Sequence, residues 1–148
     1  QCRKNKVIYE KQLVEGLLKL EQIEGRVIDM TLNLGWKENE CYKFEMNFAE
    51  DENYKTVLSF RPRESLLEID RKYSGSRREI CYQACCKVKK AENLKLRIIL
   101  DLYSAEVFVN GGEQVLTTTF YTPLSAKGIS FNIDGKISLE VEKYDLDL

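Results

Sequence analysis

Histidine is absent from this 148-residue chain. Without an imidazole, Ser-His-Asp and Cys-His catalysis, histidine metal sites and the usual general base at neutral pH are all excluded. Proline occurs twice and tryptophan once. No internal repeat, low-complexity tract or linker interrupts the chain, except that Gln1 to Lys6 reads as the end of an interdomain connector before a single domain over residues 7–148. No apolar run approaches the ~20 residues that a membrane-spanning helix needs. Charge of one sign is also missing. With 23 Lys and Arg against 24 Asp and Glu, the net charge of −1 offers no global attraction to nucleic acid or an anionic membrane, and neither is expected as a partner. The basic stretch Arg71, Lys72, Arg77, Arg78, Lys87, Lys89 and Lys90, opposed by Glu79, reads as solvated loops and edge strands, as does the acidic group Glu45, Glu50, Asp51 and Glu52.

Cysteine is present but in an odd count of five, crowded at Cys81, Cys85 and Cys86. A secreted disulfide framework favours an even count, so a reducing cytoplasm is the better expectation. Three thiolates can hold zinc, with Cys41 or Cys2 as a fourth ligand, but zinc knuckles use Cys-x2-Cys pairs and this spacing differs. On a strand Cys81 and Cys85 share a face while Cys86 points away. The reading is structural thiols, no metal and no cofactor.

What the chain does have is a period of two. Ile28, Met30, Leu32 and Leu34 alternate with Asp29, Thr31 and Asn33, and Ile137, Leu139 and Val141 alternate with Ser138, Glu140 and Glu142. These are one-sided strands of antiparallel sheets. Further strands are expected at Val7–Leu13, Leu17–Leu20, Tyr42–Phe48, Lys55–Phe60, Leu66–Asp70, Glu79–Cys86, Leu94–Leu102, Ala105–Val109, Glu113–Phe120 and Gly128–Ile133. Gly16 and Gly25 bracket a short early strand, Asp51-Glu52-Asn53 closes a hairpin, and Pro62 ends a ladder because it has no N–H to give. Lys90–Asn93 is the only stretch suited to a helical turn. Many short strands without helical patterns predict an all-β fold, a two-sheet antiparallel β-sandwich of concanavalin-like, lectin-like jelly-roll type.

The most specific stretch is LKLRIILDLYSAEVFVNGGEQVLTTT, Leu94 to Thr119. Two apolar strands meet at Tyr103-Ser104, and the second turns back at Asn110-Gly111-Gly112, residues that accept the positive φ of a tight hairpin. Within it, Asp101, Ser104, Glu106, Val107, Phe108, Val109, Asn110 and Gly112 resemble the signature of the C-terminal β-sandwich module of glycoside hydrolase family 32, usually Asp-Arg-Ser-Ser-Val-Glu-Val-Phe-Val-Asn. Leu102 and Tyr103 depart from it, standing where the family has Arg and Ser. Leu67-Glu68-Ile69-Asp70-Arg71 and Ser74-Gly75-Ser76-Arg77-Arg78 are similar to the preceding strand and loop. Gly128 to Leu146, with a hairpin expected at Asp134-Gly135, is similar to the closing strands. Before Phe60 the match is loose, mainly at Gly25-Arg26-Val27-Ile28-Asp29 and Arg3-Lys4-Asn5.

The resemblance implies a noncatalytic module of a bacterial β-fructofuranosidase, sucrose-6-phosphate hydrolase or fructanase. Glycoside hydrolysis needs two carboxylates roughly 5 to 10 Å apart. In the family the nucleophile lies in an Asn-Asp-Pro-Asn-Gly motif, the acid in Glu-Cys-Pro and a further carboxylate that stabilises the transition state in Arg-Asp-Pro, all on a separate five-bladed propeller, and none of the three motifs is here. Glu40-Cys41 is followed by Tyr42, and Asp70-Arg71 reverses the second motif. No catalytic residue is therefore assigned. A chain opening on Gln1 rather than Met is expected to be a processed or excised piece. The implied partner is the propeller, with homodimerisation through the same face as the alternative. The apolar patch it covers is first sought in Val7 to Leu20.

A carbohydrate-binding module is the runner-up. Trp36, Tyr103, Tyr121 and the Glu106/Phe108/Asn110 face are its candidate residues, since sugars are held by exposed aromatics with polar neighbours. These aromatics are spread along the chain, and Trp36, following Gly35 in a turn, is as well suited to capping the core.

Overall fold

A computed structural model describes residues 2–75 and 83–147. Its ten strands are β1 (Arg3–Leu18), β2 (Ile28–Gly35), β3 (Cys41–Glu50), β4 (Thr56–Arg61), β5 (Leu66–Asp70), β6 (Gln83–Lys87), β7 (Asn93–Asp101), β8 (Ser104–Val109), β9 (Gln114–Thr119) and β10 (Gly128–Leu146). All pairings are antiparallel. The described residues contain no helix, Lys90–Asn93 included.

The architecture follows from one long strand. The first half of β10 pairs with β3, from Gly128↔Glu50 to Gly135↔Cys41, and its second half pairs with β2, from Ser138↔Gly35 to Asp145↔Ile28. Strand β1 follows the same path on the other edge of β10, from Arg3↔Leu146 to Leu18↔Phe131. The ribbon thus belongs to two sheets. One layer runs β6-β5-β4-β3 into β10 and the other runs β9-β8-β7-β2 into β10. The free edges β6 and β9 approach each other, nearly closing the sandwich.

All three parts of the ribbon bend at one level. Registers shift between Glu15 and Gly16 and between Asp134 and Gly135, and residues 36–40 join β2 to β3 beside them. Gly16 and Gly135 take φ of 68° and 101°, which a Cβ disfavours. The Asp134-Gly135 pair is therefore a bulge inside a continuous strand, not the hairpin its sequence suggests. Gly16 likewise bends β1 instead of ending it, so Leu17 belongs to β1 and no separate Leu17–Leu20 strand exists. The sheet begins at Arg3, four residues ahead of the Val7 boundary, because β10 extends to Leu146 and offers Arg3 and Lys4 a partner. The start of the expected Glu79–Cys86 strand lies outside the described residues.

Alternation fills the space between layers. Met30, Leu32, Leu96, Ile98, Val107, Leu139 and Val141 from one sheet, and Phe44, Met46, Leu58, Leu67 and Phe131 from the other, are buried. Each such side chain contributes about 1.5–3 kcal/mol on burial. Aromatic pairs fasten the two ends: Phe48 meets Phe120 edge-on at 5.7 Å, and Trp36 tilts on Phe60 at 5.1 Å. Turn chemistry is as read: Asn110, Gly111 and Gly112 all have positive φ, and the Asp51 carboxylate accepts from Asn53 N and Tyr54 N at 2.8 and 2.9 Å.

Candidate functional site

At the end remote from the bend, the entry to β2 lies beside the β7–β8 turn and the chain that leaves β9. Arg26 occupies this junction and is only 5% exposed. Its guanidinium donates to the carbonyls of Leu102 (3.0 Å), Pro123 (2.6 Å), Ala126 (3.3 Å) and Thr122 (3.3 Å), and to Thr122 Oγ1 (3.0 Å). The cation also lies over the Phe120 and Tyr103 rings, at 5.1 and 5.6 Å. Burial lowers its pKa, with Tyr103 opposing. Arg26 so ties the signature turn to the 122–126 crossover.

The same end gathers aromatics that the sequence spreads apart. Phe120 N donates to Tyr103 O, Tyr121 N to Ser74 O and Lys55 N to Tyr73 O, each at 2.8–2.9 Å. Tyr54, Tyr73, Tyr103 and Tyr121 are therefore brought to one end, all exposed. The third candidate, Trp36, is at the opposite end. The Glu106/Phe108/Asn110 face divides by role: Glu106 is exposed and Phe108 half-buried. Asn110 begins the β8–β9 turn and fastens it to β7, its Oδ1 accepting from Lys95 N at 2.9 Å and its N donating to Lys95 O at 2.8 Å. Of the remaining signature residues, Val107 and Val109 are core, Ser104 pairs with Asp101 across the turn, and Gly112 holds a φ of 102°.

Trp36 lies in a built pocket of about 280 Å³ at the bend. Three loops form it. Trp36 N donates to Glu92 O (3.0 Å), Lys136 N to Glu40 O (2.8 Å), Ser65 N to Pro62 O (3.2 Å) and Val88 N to Ser65 O (2.8 Å). Tyr42 and Arg63 enter the same space, the guanidinium lying 5.9 Å from the ring centroid and donating to Asn39 Oδ1 at 3.0 Å. Sequence reading missed Tyr42 and Arg63. They stand 21 residues apart in sequence, and no local pattern joins them.

On the outer face of the second sheet, Asp29 is buried beneath Arg97 and Arg3, with contacts of 2.8 and 2.7 Å. Burial pushes its pKa up, but hydrogen bonds and charge from Arg97, then Arg3, outweigh it and hold the carboxyl below its ordinary value. A depressed carboxylate stabilises the fold above the unfolded-state pKa of about 4 and loses that effect as pH falls through its native value. The melting-temperature gap between the wild type and Asp29→Asn should therefore be widest near neutrality and shrink as the pH falls below about 4. Thermal melts across that range check this, and a gap that stays constant counts against it.

Cys2, Cys41, Cys85 and Cys86 are free thiols, and the described residues hold no cluster of potential metal ligands. Cys81 lies outside the described residues. Burial pushes Cys41 up to about 11, so it is protonated at neutral pH. Cys85 is exposed and Cys86 half-buried, as opposite faces of one strand. Glu40, exposed in the bend, contributes its carbonyl to the fold.

The family described as Glycosyl hydrolases family 32 C terminal matches residues 1–146. The sucrose-6-phosphate hydrolase of Staphylococcus xylosus is 28% identical over 130 residues, 86% of this chain and 26% of the relative. A probable sucrose-6-phosphate hydrolase of Vibrio cholerae is 29% identical over 121 residues, 78% of this chain and 20% of the relative. The chain thus spans about a fifth to a quarter of the length of these relatives. Among solved structures, a sucrose-6-phosphate hydrolase from Lactobacillus gasseri superposes with a TM-score of 0.77 at 22% identity, covering 98% of this chain and 28% of that one. A fructosyltransferase from A. japonicus gives 0.82 at 14% identity, covering 97% and 26%. At such identities these two likenesses speak for the fold alone. The family match across nearly the whole chain goes further: this protein belongs to the family 32 glycosyl hydrolase C-terminal domains.

Proposed function

We propose that the chain is a noncatalytic module of a fructosyl-cleaving hydrolase, acting on sucrose, sucrose 6-phosphate or a fructan, and that it packs on and stabilises the catalytic propeller. The observation that carries this is the match of residues 1–146 to a C-terminal domain that is only a fraction of its relatives. Two features support it. The chain lacks all three family carboxylate motifs. Strand β1, whose outer edge has no partner among the described strands, exposes Ile8, Leu13 and Leu17 to 51%, 68% and 83%. Apolar side chains on a free edge invite aggregation unless covered. The location taken with this reading is a reducing cytoplasm, in keeping with the free thiols.

Calorimetry with the separately expressed propeller checks it. The wild type should associate, Leu13→Glu/Leu17→Glu should weaken association by at least about tenfold, or ~1.4 kcal/mol, and melting of the isolated chain should be unchanged. The chain alone should release no fructose from sucrose, sucrose 6-phosphate, inulin or levan. Turnover abolished by Glu40→Gln, or no association with the propeller, would sink the proposal; self-association lost in the β1 variant would identify a second copy as the occupant of β1.

A further inference from the structure

The geometry points to a binding site for one ring of a neutral sugar in the pocket at the bend, with Trp36, Tyr42 and Arg63 as its contact residues. This deepens the glycan-binding reading and is independent of propeller packing; either can fail alone. Trp36, Pro62 and Cys41 line the inner part of the pocket; the Trp36 ring is held there by Phe60 on one side, and its backbone N–H fixes the loop by donating to Glu92 O. The indole is half-buried, so the part not covered by Phe60 adds apolar ring surface to the pocket. An aromatic face held rigid suits the C–H face of a pyranose or furanose ring, since little side-chain entropy is lost on contact.

The rim supplies the polar groups. Glu38, Glu92, Arg63 and Lys90, two charges of each sign, line the pocket together with Tyr42 and Asn39. A balanced rim gives a ligand charge of either sign no net attraction, which disfavours a phosphorylated sugar or an acidic peptide. Carboxylates that accept and a guanidinium that donates match vicinal hydroxyls, each of which does both. Arg63 is already oriented, stacked on Tyr42 and bonded to Asn39, so its donors need little reorganisation on binding. A cavity of about 280 Å³ lies just below the usual small-ligand range and fits one ring rather than a long glycan.

Trp36 is the chain's only tryptophan, so its fluorescence reports on this pocket without labelling. Titration with sucrose, fructose and inulin should give a saturable emission change at millimolar concentration with at least one of them. Tyr42→Ala and Arg63→Ala should each weaken it by about tenfold, ~1.4 kcal/mol. Tyr42 and Arg63 are exposed, so both variants should keep the wild-type melting curve. Tyr121→Ala, at the opposite end, should bind as the wild type does. The inference is overturned if no neutral sugar saturates the signal, if both pocket variants bind normally, if Tyr121→Ala alone abolishes binding, or if only sucrose 6-phosphate binds.

Discussion

Replacing Arg26 by Met should cost about 3 kcal/mol or more, among the largest losses available to a single side chain here. Its guanidinium is the shared donor for four backbone carbonyls and one hydroxyl drawn from the β7–β8 turn and the 122–126 crossover. A buried acceptor left without a donor costs about 1–3 kcal/mol, and water reaches only part of this junction. Methionine replaces the apolar volume and none of the bonds. Lysine keeps the charge but is a point donor without the planar fork, so Arg26→Lys should recover less than half of the loss. In a domain of this size the Met variant should melt about 6–12 °C lower. Amide exchange should quicken first at residues 102–104 and 122–126. Both variants melting within about 1 °C of the wild type would show that the junction is held by the Phe48–Phe120 contact and not by Arg26.

Much of this fold is legible because its signals are local. The Ile28 to Leu34 alternation sets the face of β2, and the same pattern sets the face of β10 from Ile137 to Val141. Asn110-Gly111-Gly112 forms the β8–β9 turn because those residues carry the φ the turn needs. Asp134-Gly135 carries the same chemistry and does something else. A dipeptide encodes tolerance of positive φ; whether the chain reverses or merely bulges depends on β1 and β3, which flank β10 on both edges and come from the other end of the sequence. The sites were less legible for the same reason. Trp36 is visible as an aromatic after a glycine, but Tyr42, Arg63 and Glu92 join it only after three loops are tied together. Arg26 gives no sign of its burial, since arginine is ordinarily a surface residue and none of its acceptors is within seventy residues in sequence.

The bend that brings those loops together should fail most sharply at Gly135. A Cβ there would overlap the Glu40 carbonyl oxygen and lie 3.0 Å from the Cys41 Cα, and both are backbone atoms in a paired strand or its entry. Neither can move without breaking the Lys136 N–H bond to Glu40 O or the Gly135↔Cys41 pairing. Gly135→Ala adds this overlap to the strain of a non-glycine residue at a φ of 101°, which alone is of order 1–3 kcal/mol. The sum should exceed about 3 kcal/mol, with the melting temperature falling by roughly 6–12 °C. Gly111 supplies the control. Its φ is 78°, but a Cβ there meets nothing within 4 Å, so Gly111→Ala should cost only the left-handed backbone term of about 1–2 kcal/mol. Because Glu40 ends the loop that Trp36 begins, Gly135→Ala should also shift the emission of Trp36 in the folded protein, whereas Gly111→Ala should leave it unchanged. Equal losses of stability in the two variants would mean that Glu40 yields to the new methyl group, and that the bulge is a tolerant joint rather than the fixed corner on which the pocket depends.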